Sequence, residues 1–420
     1  MSSTQRPKIL FVTSVYPHGP EYGSQQRVLN LLRILARAGD VSLVLACPLP
    51  IDQDSIRETQ KEFRVAHTAV VTALSCLSWT DRLRFELDPT WVQGHLTGVS
   101  ERDRAIIKEI VNQHDVTWVY TLRAANECLI WRWPRTIMDI DAIPSQVAAS
   151  SGRSGANAVR NLLDRRMSVI WRRRERFVPE RFDMVAVCSE SDRAYLGYNG
   201  SEVRVIPNGF AASGEGPARQ LAVPPRIGFV GWFGGLPNRA GMDWFIKEAW
   251  PLVKGTVPEA RLRLVGGDVD PGLFGAAPDT DLLGYMKDPA NEMSTWSAMI
   301  VPIRVGGGTR IKIAHAFSEK CPVVSTALGA FGYEVASGNE LLIADTPEDF
   351  AAACVHLMRE PNLGRELAER AWNRYAKSWT WDAIAPAVLG AINAVLSNGS
   401  GKSETGPEMC SAENRVTNVV

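Results

Sequence analysis

The sequence predicts two consecutive α/β domains, each built on a parallel sheet, and three observations carry that expectation. Short apolar or β-branched runs alternate with helix-length amphipathic segments along most of the chain, the pattern of βαβ units under right-handed crossovers. The runs are apolar almost throughout, as strands covered on both faces should be. The pattern breaks once, at Ile206-Pro207-Asn208-Gly209 and the Gly-, Ala-, Ser- and Pro-rich stretch that follows, and then restarts. A length of 420 residues suits two domains better than one.

Ile9–Val12 is the first predicted strand, followed by a Gly- and Pro-containing loop and a helix patterned by Val28, Leu31, Leu32 and Leu35. Val41–Ala46, Val116–Tyr120, Thr136–Ile140 and Met184–Val187 continue the first domain. Arg226–Val230 opens the second and ends at Gly231; Leu262–Val265, Ala298–Val301 and Pro322–Ser325 extend it. An apolar helical stretch runs from Trp381 to about Leu396, and the polar, unpatterned remainder reads as a disordered tail. The expected boundaries are therefore 1–207, a linker 208–225, 226–378, a final helix 379–396 and a tail 397–420. Ligands of open parallel sheets bind beyond the carboxyl ends of the strands, so chemistry is expected in the loops facing a cleft.

Composition narrows the function. Lys plus Arg and Asp plus Glu both number 46, so no bulk charge draws the chain to nucleic acid, and no nucleic-acid partner is expected. Seven scattered cysteines form no C-x-x-C pair and read as reduced thiols. The N-terminus lacks the apolar core of a signal peptide, and no uninterrupted apolar run approaches a membrane span of about 20 residues. A cytoplasmic protein, at most peripheral to a membrane, is expected.

The most informative loop is Pro302-Ile303-Arg304-Val305-Gly306-Gly307-Gly308-Thr309-Arg310-Ile311-Lys312, which follows a strand and opens a helix. Gly306, Gly307 and Gly308 let backbone approach a ligand closely. The free N–H groups of the helix start lie at the positive end of its dipole, and Arg310 and Lys312 add charge there. In physical terms this is a phosphate or diphosphate site. The bland alternative is a tight strand–helix turn with solvated basic residues.

Gly-Gly-Gly-Thr-Arg-Ile-Lys, followed by Cys321-Pro322-Val323-Val324-Ser325-Thr326 and Gly329-Ala330-Phe331-Gly332, resembles the donor half of family 4 retaining glycosyltransferases of the GT-B fold. Val187-Cys188-Ser189-Glu190-Ser191-Asp192, Val205-Ile206-Pro207-Asn208-Gly209, Phe229-Val230-Gly231 with Pro237-Asn238, and Ser378-Trp379-Thr380-Trp381 resemble further segments of that family. The resemblance is weak over 50–130 and strong over 226–382. It implies two Rossmann-like domains across a cleft, a nucleotide diphosphate sugar as co-substrate, and no metal or other cofactor. It also implies roles: Gly231, Asn238 and Arg239 face the diphosphate, Arg310 and Lys312 neutralise it, Thr309 belongs to the same loop, and Gly23 and Ser24 approach from the first domain. Attack on the donor from its front face, assisted by the leaving phosphate, needs no protein nucleophile.

One departure stands out. The family carries two glutamates eight positions apart; here those positions hold Gly307 and His315. His315 can bond a ribose hydroxyl through either ring nitrogen, or be a packed helix histidine. Asp139-Ile140-Asp141 is a D-x-D, a weak metal signal without further oxygen donors nearby; Asp141 is the candidate polar group at the reacting centre. Residues 153–176 hold eight arginines against Asp164 and Glu175. That basic amphipathic helix is expected to present a solvated face, the alternative being peripheral contact with an anionic membrane. Trp79, Trp91, Trp118, Trp131 and Trp133 are candidates for acceptor stacking or, individually, for core packing.

The expected function is transfer of a sugar from a nucleotide diphosphate sugar to a hydroxyl on a glycan, lipid carrier or small metabolite. The alternatives are a catalytically degenerate binding protein of the same fold and an enzyme that hydrolyses or epimerises nucleotide sugars.

Overall fold

The structure is a computed structural model and describes residues 6–18, 23–48, 53–73, 79–91, 97–151, 158–198, 202–211, 218–274 and 277–398. The expected tail beyond 398, residues 212–217 of the linker and residues 153–157 of the basic segment lie outside the described residues.

The first domain contains β1 (Lys8–Thr13), β2 (Asp40–Cys47), β3 (Arg64–Val70), β4 (Thr72–Ala73), β5 (Thr97–Gly98), β6 (Val116–Tyr120), β7 (Thr136–Ile140), β8 (Met184–Val187) and β9 (Val203–Val205). Seven of them form one sheet in the order β3-β2-β1-β6-β7-β8-β9, parallel at every pairing. β4 and β5 make a small antiparallel pair. The second domain holds β10 (Arg226–Val230), β11 (Arg261–Val265), β12 (Thr280–Gly284), β13 (Ala298–Val301), β14 (Val323–Ser325) and β15 (Leu342–Ile343). They form a second parallel sheet in the order β12-β11-β10-β13-β14-β15.

Every strand expected from the sequence is present. The large-sheet strands that sequence reasoning missed are β3, β9, β12 and β15, and each of these is a sheet edge. An edge strand has one neighbour and partial cover, so Arg64–Val70 and Thr280–Gly284 carry mixed polar and apolar residues instead of an apolar run.

The last helix among the described residues, Trp381–Asn398, follows the second domain in sequence but completes the first. Trp381, Ile384, Val388, Ile392 and Val395 pack into the core formed by Ile9, Phe11, Val28, Leu31 and Trp118. By length and hydropathy the stretch Pro361–Asn398 could cross a membrane, yet its final helix buries these apolar side chains in a domain core.

A fully buried ion pair sits at the end of β7. From the helix Gly23–Ala38, Arg27 donates through Nη2 to Asp139 Oδ1 at 2.8 Å and through Nε to Oδ2 at 3.2 Å. Its remaining donors reach the backbone oxygens of Ile206 and Pro207 and the side chain of Asn208. Trp118 Nε1 also donates to Asp139. The first aspartate of the D-x-D is thus committed to a structural cation. Removing one partner strands the other as an unpaired buried charge, so Arg27→Met or Asp139→Asn should cost about 3–5 kcal/mol in urea unfolding. Replacing Trp118 by Phe, which removes one hydrogen bond, should cost about 1 kcal/mol in the same assay.

Candidate active site between the domains

The carboxyl ends of the two sheets face each other across a cleft of about 850 Å³, within the roughly 300–1,000 Å³ usual for small-molecule sites. The first domain contributes Pro17, His18 and the cleft-facing side of the helix Gly23–Ala38, including Gly23, Gln26 and Arg33. The second contributes Gly231 and Trp232 after β10, Gly266 and Gly267 after β11, the loop Tyr285–Pro289, and Ile311, Lys312 and His315. A smaller cavity of about 150 Å³ adjoins it, lined by Gly23, Ser24, Asp141, Asn208, Gly307, Gly308, Thr309 and Arg310.

The glycine loop opens the helix Ile311–Ser318, whose cap residue Arg310 supplies no side-chain hydrogen bond to the first turn. Gly308, at φ 74°, holds a conformation that favours glycine. Close approach decides another position. A Cβ on Gly266 would overlap the Gly231 carbonyl oxygen, so the ends of β10 and β11 can meet only through glycine.

Two cations stand at this helix start. Lys312 Nζ donates to Asn238 Oδ1 at 2.8 Å and lies 3.8 Å from the centre of the Phe229 ring. Arg310 Nη1 donates to the Gly307 carbonyl at 2.8 Å, and its buried Nε has no hydrogen-bond partner among the described residues. Neither makes an ion pair among the described residues. Desolvation pulls the Arg310 guanidinium down to about 10 and holds the Lys312 amine well below its ordinary value, with Arg310 adding repulsion. Asp141 acts on Arg310 from beyond ion-pair distance, and charge held away from water without a direct ion pair favours an anion in the cleft. His18 Nε2, on the opposite wall, is likewise buried without a partner among the described residues.

The other expected residues divide. Asn238 holds Lys312 and donates from Nδ2 to the Trp232 carbonyl at 2.6 Å. A Cβ on Gly231 would stand 2.9 Å from Lys312 Nζ, so glycine leaves room for that amine. Gly23 meets Ile311 across the cleft, and Ser24 lines the small cavity. Arg239 is exposed and lines neither cavity. Asp141 accepts from Tyr120 at 2.8 Å, Asn208 at 2.8 Å and the Cys188 thiol at 3.3 Å. Asn208 Nδ2 also reaches Thr309 Oγ1 at 2.9 Å, joining Asp141 to the glycine loop.

The two family glutamate positions are resolved physically. At Gly307 a Cβ would lie 2.8 Å from Val147 Cγ2, on the first-domain helix Pro144–Ser151. The neighbouring Gly306 N–H donates to Ser150 Oγ of that helix at 2.7 Å. A side chain at 307 would press on Val147 with the domains so placed. His315 lines the large cavity and stacks on Phe210 of the linker, ring centres 4.3 Å apart. Desolvation holds its ring down to about 4, so it is neutral at pH 7.

Sequence reasoning missed His18, Phe210, the loop Tyr285–Pro289 and the Gly266–Gly267 approach. The last had a readable signal, a Gly-Gly pair at the end of a predicted strand. The expected tryptophans separate as well: Trp118 and Trp133 are core residues, while Trp79 is 75% exposed.

Two Rossmann-like parallel sheets facing each other across a cleft are the architecture of the GT-B class. Residues 224–360, within the second domain, match the family model described as "Glycosyl transferases group 1". Trehalose synthase of Rubrobacter xylanophilus is 25% identical over 139 residues, 29% of this chain and 33% of that protein. The chain therefore spans about a third of the length of the curated relative it matches. Sucrose-phosphate synthase from Thermosynechococcus elongatus superposes with a TM-score of 0.64 at 17% identity, covering 94% of this chain and 100% of that one. HepE from Anabaena, solved with UDP and glucose, gives 0.62 at 14% identity over 92% and 100%. TarM gives 0.65 at 11% over 94% and 100%. These likenesses establish the GT-B fold.

Two outcomes follow from this geometry. Gly307→Ala should lower stability by about 1–3 kcal/mol through overpacking against Val147, and adding Val147→Ala should restore most of it in thermal melting. His315, with a folded value depressed from the ordinary 6.5 to about 4, contributes stability in full above pH 6.5 and loses it as pH falls toward 4. His315→Phe should flatten the stability profile across that window when urea midpoints are compared.

Proposed function

We propose that the chain transfers a sugar from a nucleotide diphosphate sugar to a hydroxyl acceptor, with retention of configuration and without a metal. The observation that carries this reading is the pair Arg310 and Lys312, desolvated and without an acidic partner, at the start of a helix inside a cleft of nucleotide-sugar size. The diphosphate lies against these cations and the Gly231 and Gly23 backbones. The ribose lies near His315, and the base near the loop Tyr285–Pro289. Negative charge grows on the departing diphosphate in the transition state, where fixed cations and helix N–H groups stabilise it most. The leaving phosphate assists front-face attack by the acceptor hydroxyl. Asp141, held by three donors at the small cavity, is the polar group nearest that reaction. Because HepE was solved with UDP and glucose, UDP is the first nucleotide to test, and a cytoplasmic site of action matches a sugar-nucleotide donor.

A second reading is favoured by Gly307 and His315: the domain binds a nucleotide but has lost turnover. Thermal melting with UDP, GDP, dTDP and ADP separates the cases. A ligand at 100 times its dissociation constant adds about 2.7 kcal/mol. One nucleotide should raise the melting temperature by several degrees, and Arg310→Ala with Lys312→Ala should abolish the shift. Release of that nucleotide from its sugar conjugate, dependent on an added acceptor, should then fall about 100-fold or more in the Arg310→Ala variant. Stabilisation without any release supports the second reading, and no stabilisation by any of the four overturns the donor site.

A further inference from the structure

Seven of the fifteen large apolar residues exposed among the described residues lie on two neighbouring first-domain helices, Trp79–Leu87 and Ala158–Glu175. Trp79, Leu83 and Leu87 follow one face of the shorter helix, at spacings of four. Val159, Leu162 and Val169 follow the outer face of the longer one, with Leu163 at its margin. Leu162 is 68% exposed. Exposed apolar residues scattered singly over a surface need no explanation, but a cluster of this size does.

The exposed charge around the cluster has one sign. Arg84, Arg160, Arg165, Arg166 and Arg173 are exposed on these two helices, and no exposed described side chain on either is acidic. Two carboxylates on the shorter helix, Asp81 and Glu86, are part-buried, and Glu86, at the seam between the helices, is paired with Arg166. Arg174 ties the seam from beneath, donating to the carbonyl oxygens of Phe85, Asp88 and Trp91. The two faces are therefore held as one surface. The acids of the longer helix are turned inward: Glu175 accepts from the Ser145 N–H and hydroxyl, and one oxygen of Asp164 is buried.

From this arrangement we infer that the surface docks on an anionic phospholipid bilayer. Trp79 and the aliphatic side chains enter the boundary between headgroups and acyl chains, while the arginines reach lipid phosphates with their stems along the apolar surface. A second copy of the chain fits less well, since a twofold contact would bring arginines of one sign against each other. The longer helix packs against Pro144–Ser151, whose Ser150 contacts Gly306 in the cleft wall, so the docked face lies one helix from the candidate site.

The test uses the full chain and sedimentation with two kinds of vesicle, phosphatidylcholine alone and phosphatidylcholine with one third phosphatidylglycerol. The chain should partition onto the anionic vesicles at least about 10-fold more strongly, and less so at high salt. Arg165→Glu with Arg173→Glu should reduce that partition by about 25-fold, at roughly fivefold for each arginine lost. Trp79→Ser with Leu162→Ser should abolish it. Unchanged melting temperatures of both variants would place these losses at the surface. Equal partition onto both vesicles, no sedimentation with either, or a wild-type dimer in solution that the same variants dissociate would overturn the proposal.

Discussion

The cleft depends on one buried interaction, the bidentate pair between Arg27 and Asp139. Two charges taken from water are tolerable only when geometry is good and every remaining donor is used. Here the guanidinium spends its spare N–H groups on Ile206, Pro207 and Asn208. One cation thereby fixes the helix that carries Gly23, the strand that ends at Asp141, and the point where the chain leaves the first domain. Asn208 passes the constraint onward, through Asp141 on one side and Thr309 on the other. The glycine loop of the second domain is thus positioned by a pair in the first.

Electrostatics in the cleft run the opposite way. Where Arg27 is fully compensated, Arg310 and Lys312 are not, and desolvation keeps both below their ordinary values. An uncompensated cation costs stability in the empty protein, and that cost is returned when an anion arrives. Preorganised charge of this kind needs no rearrangement at the moment of reaction. Lys312 is steered by Asn238 and the face of Phe229, groups that orient an amine without neutralising it.

Much of this was legible in the sequence where the signal is local. Glycines followed by Arg310 and Lys312 within a few residues suggest an anion site because helix, dipole and charge lie in one short segment. Buried strands announce themselves by continuous apolar runs, and the sheet edges, half covered, do not. What stayed hidden is non-local. Arg27 and Asp139 are 112 residues apart, so nothing in the D-x-D itself showed that its first member is half of an ion pair. Phe210 under His315 and Val147 over Gly307 are likewise contacts made by folding, with no spacing to betray them. Arg239, placed in the site by position in a motif, is exposed because the short helix that carries it turns the residue outward.

The return of the helix Trp381–Asn398 to the first domain means the polypeptide passes between the two halves twice. The two passages lie side by side, for the Phe210 N–H donates to the Trp379 carbonyl at 3.0 Å and Tyr375 Oη donates to the Phe210 carbonyl at 2.9 Å. A double tether of this sort behaves as a hinge pin. It resists separation of the halves, because both crossings would have to part together. It also orders synthesis, since the first domain lacks part of its apolar cover until residues 381–398 have been made. Without that helix the first-domain core would lose Trp381, Ile384, Val388, Ile392 and Val395.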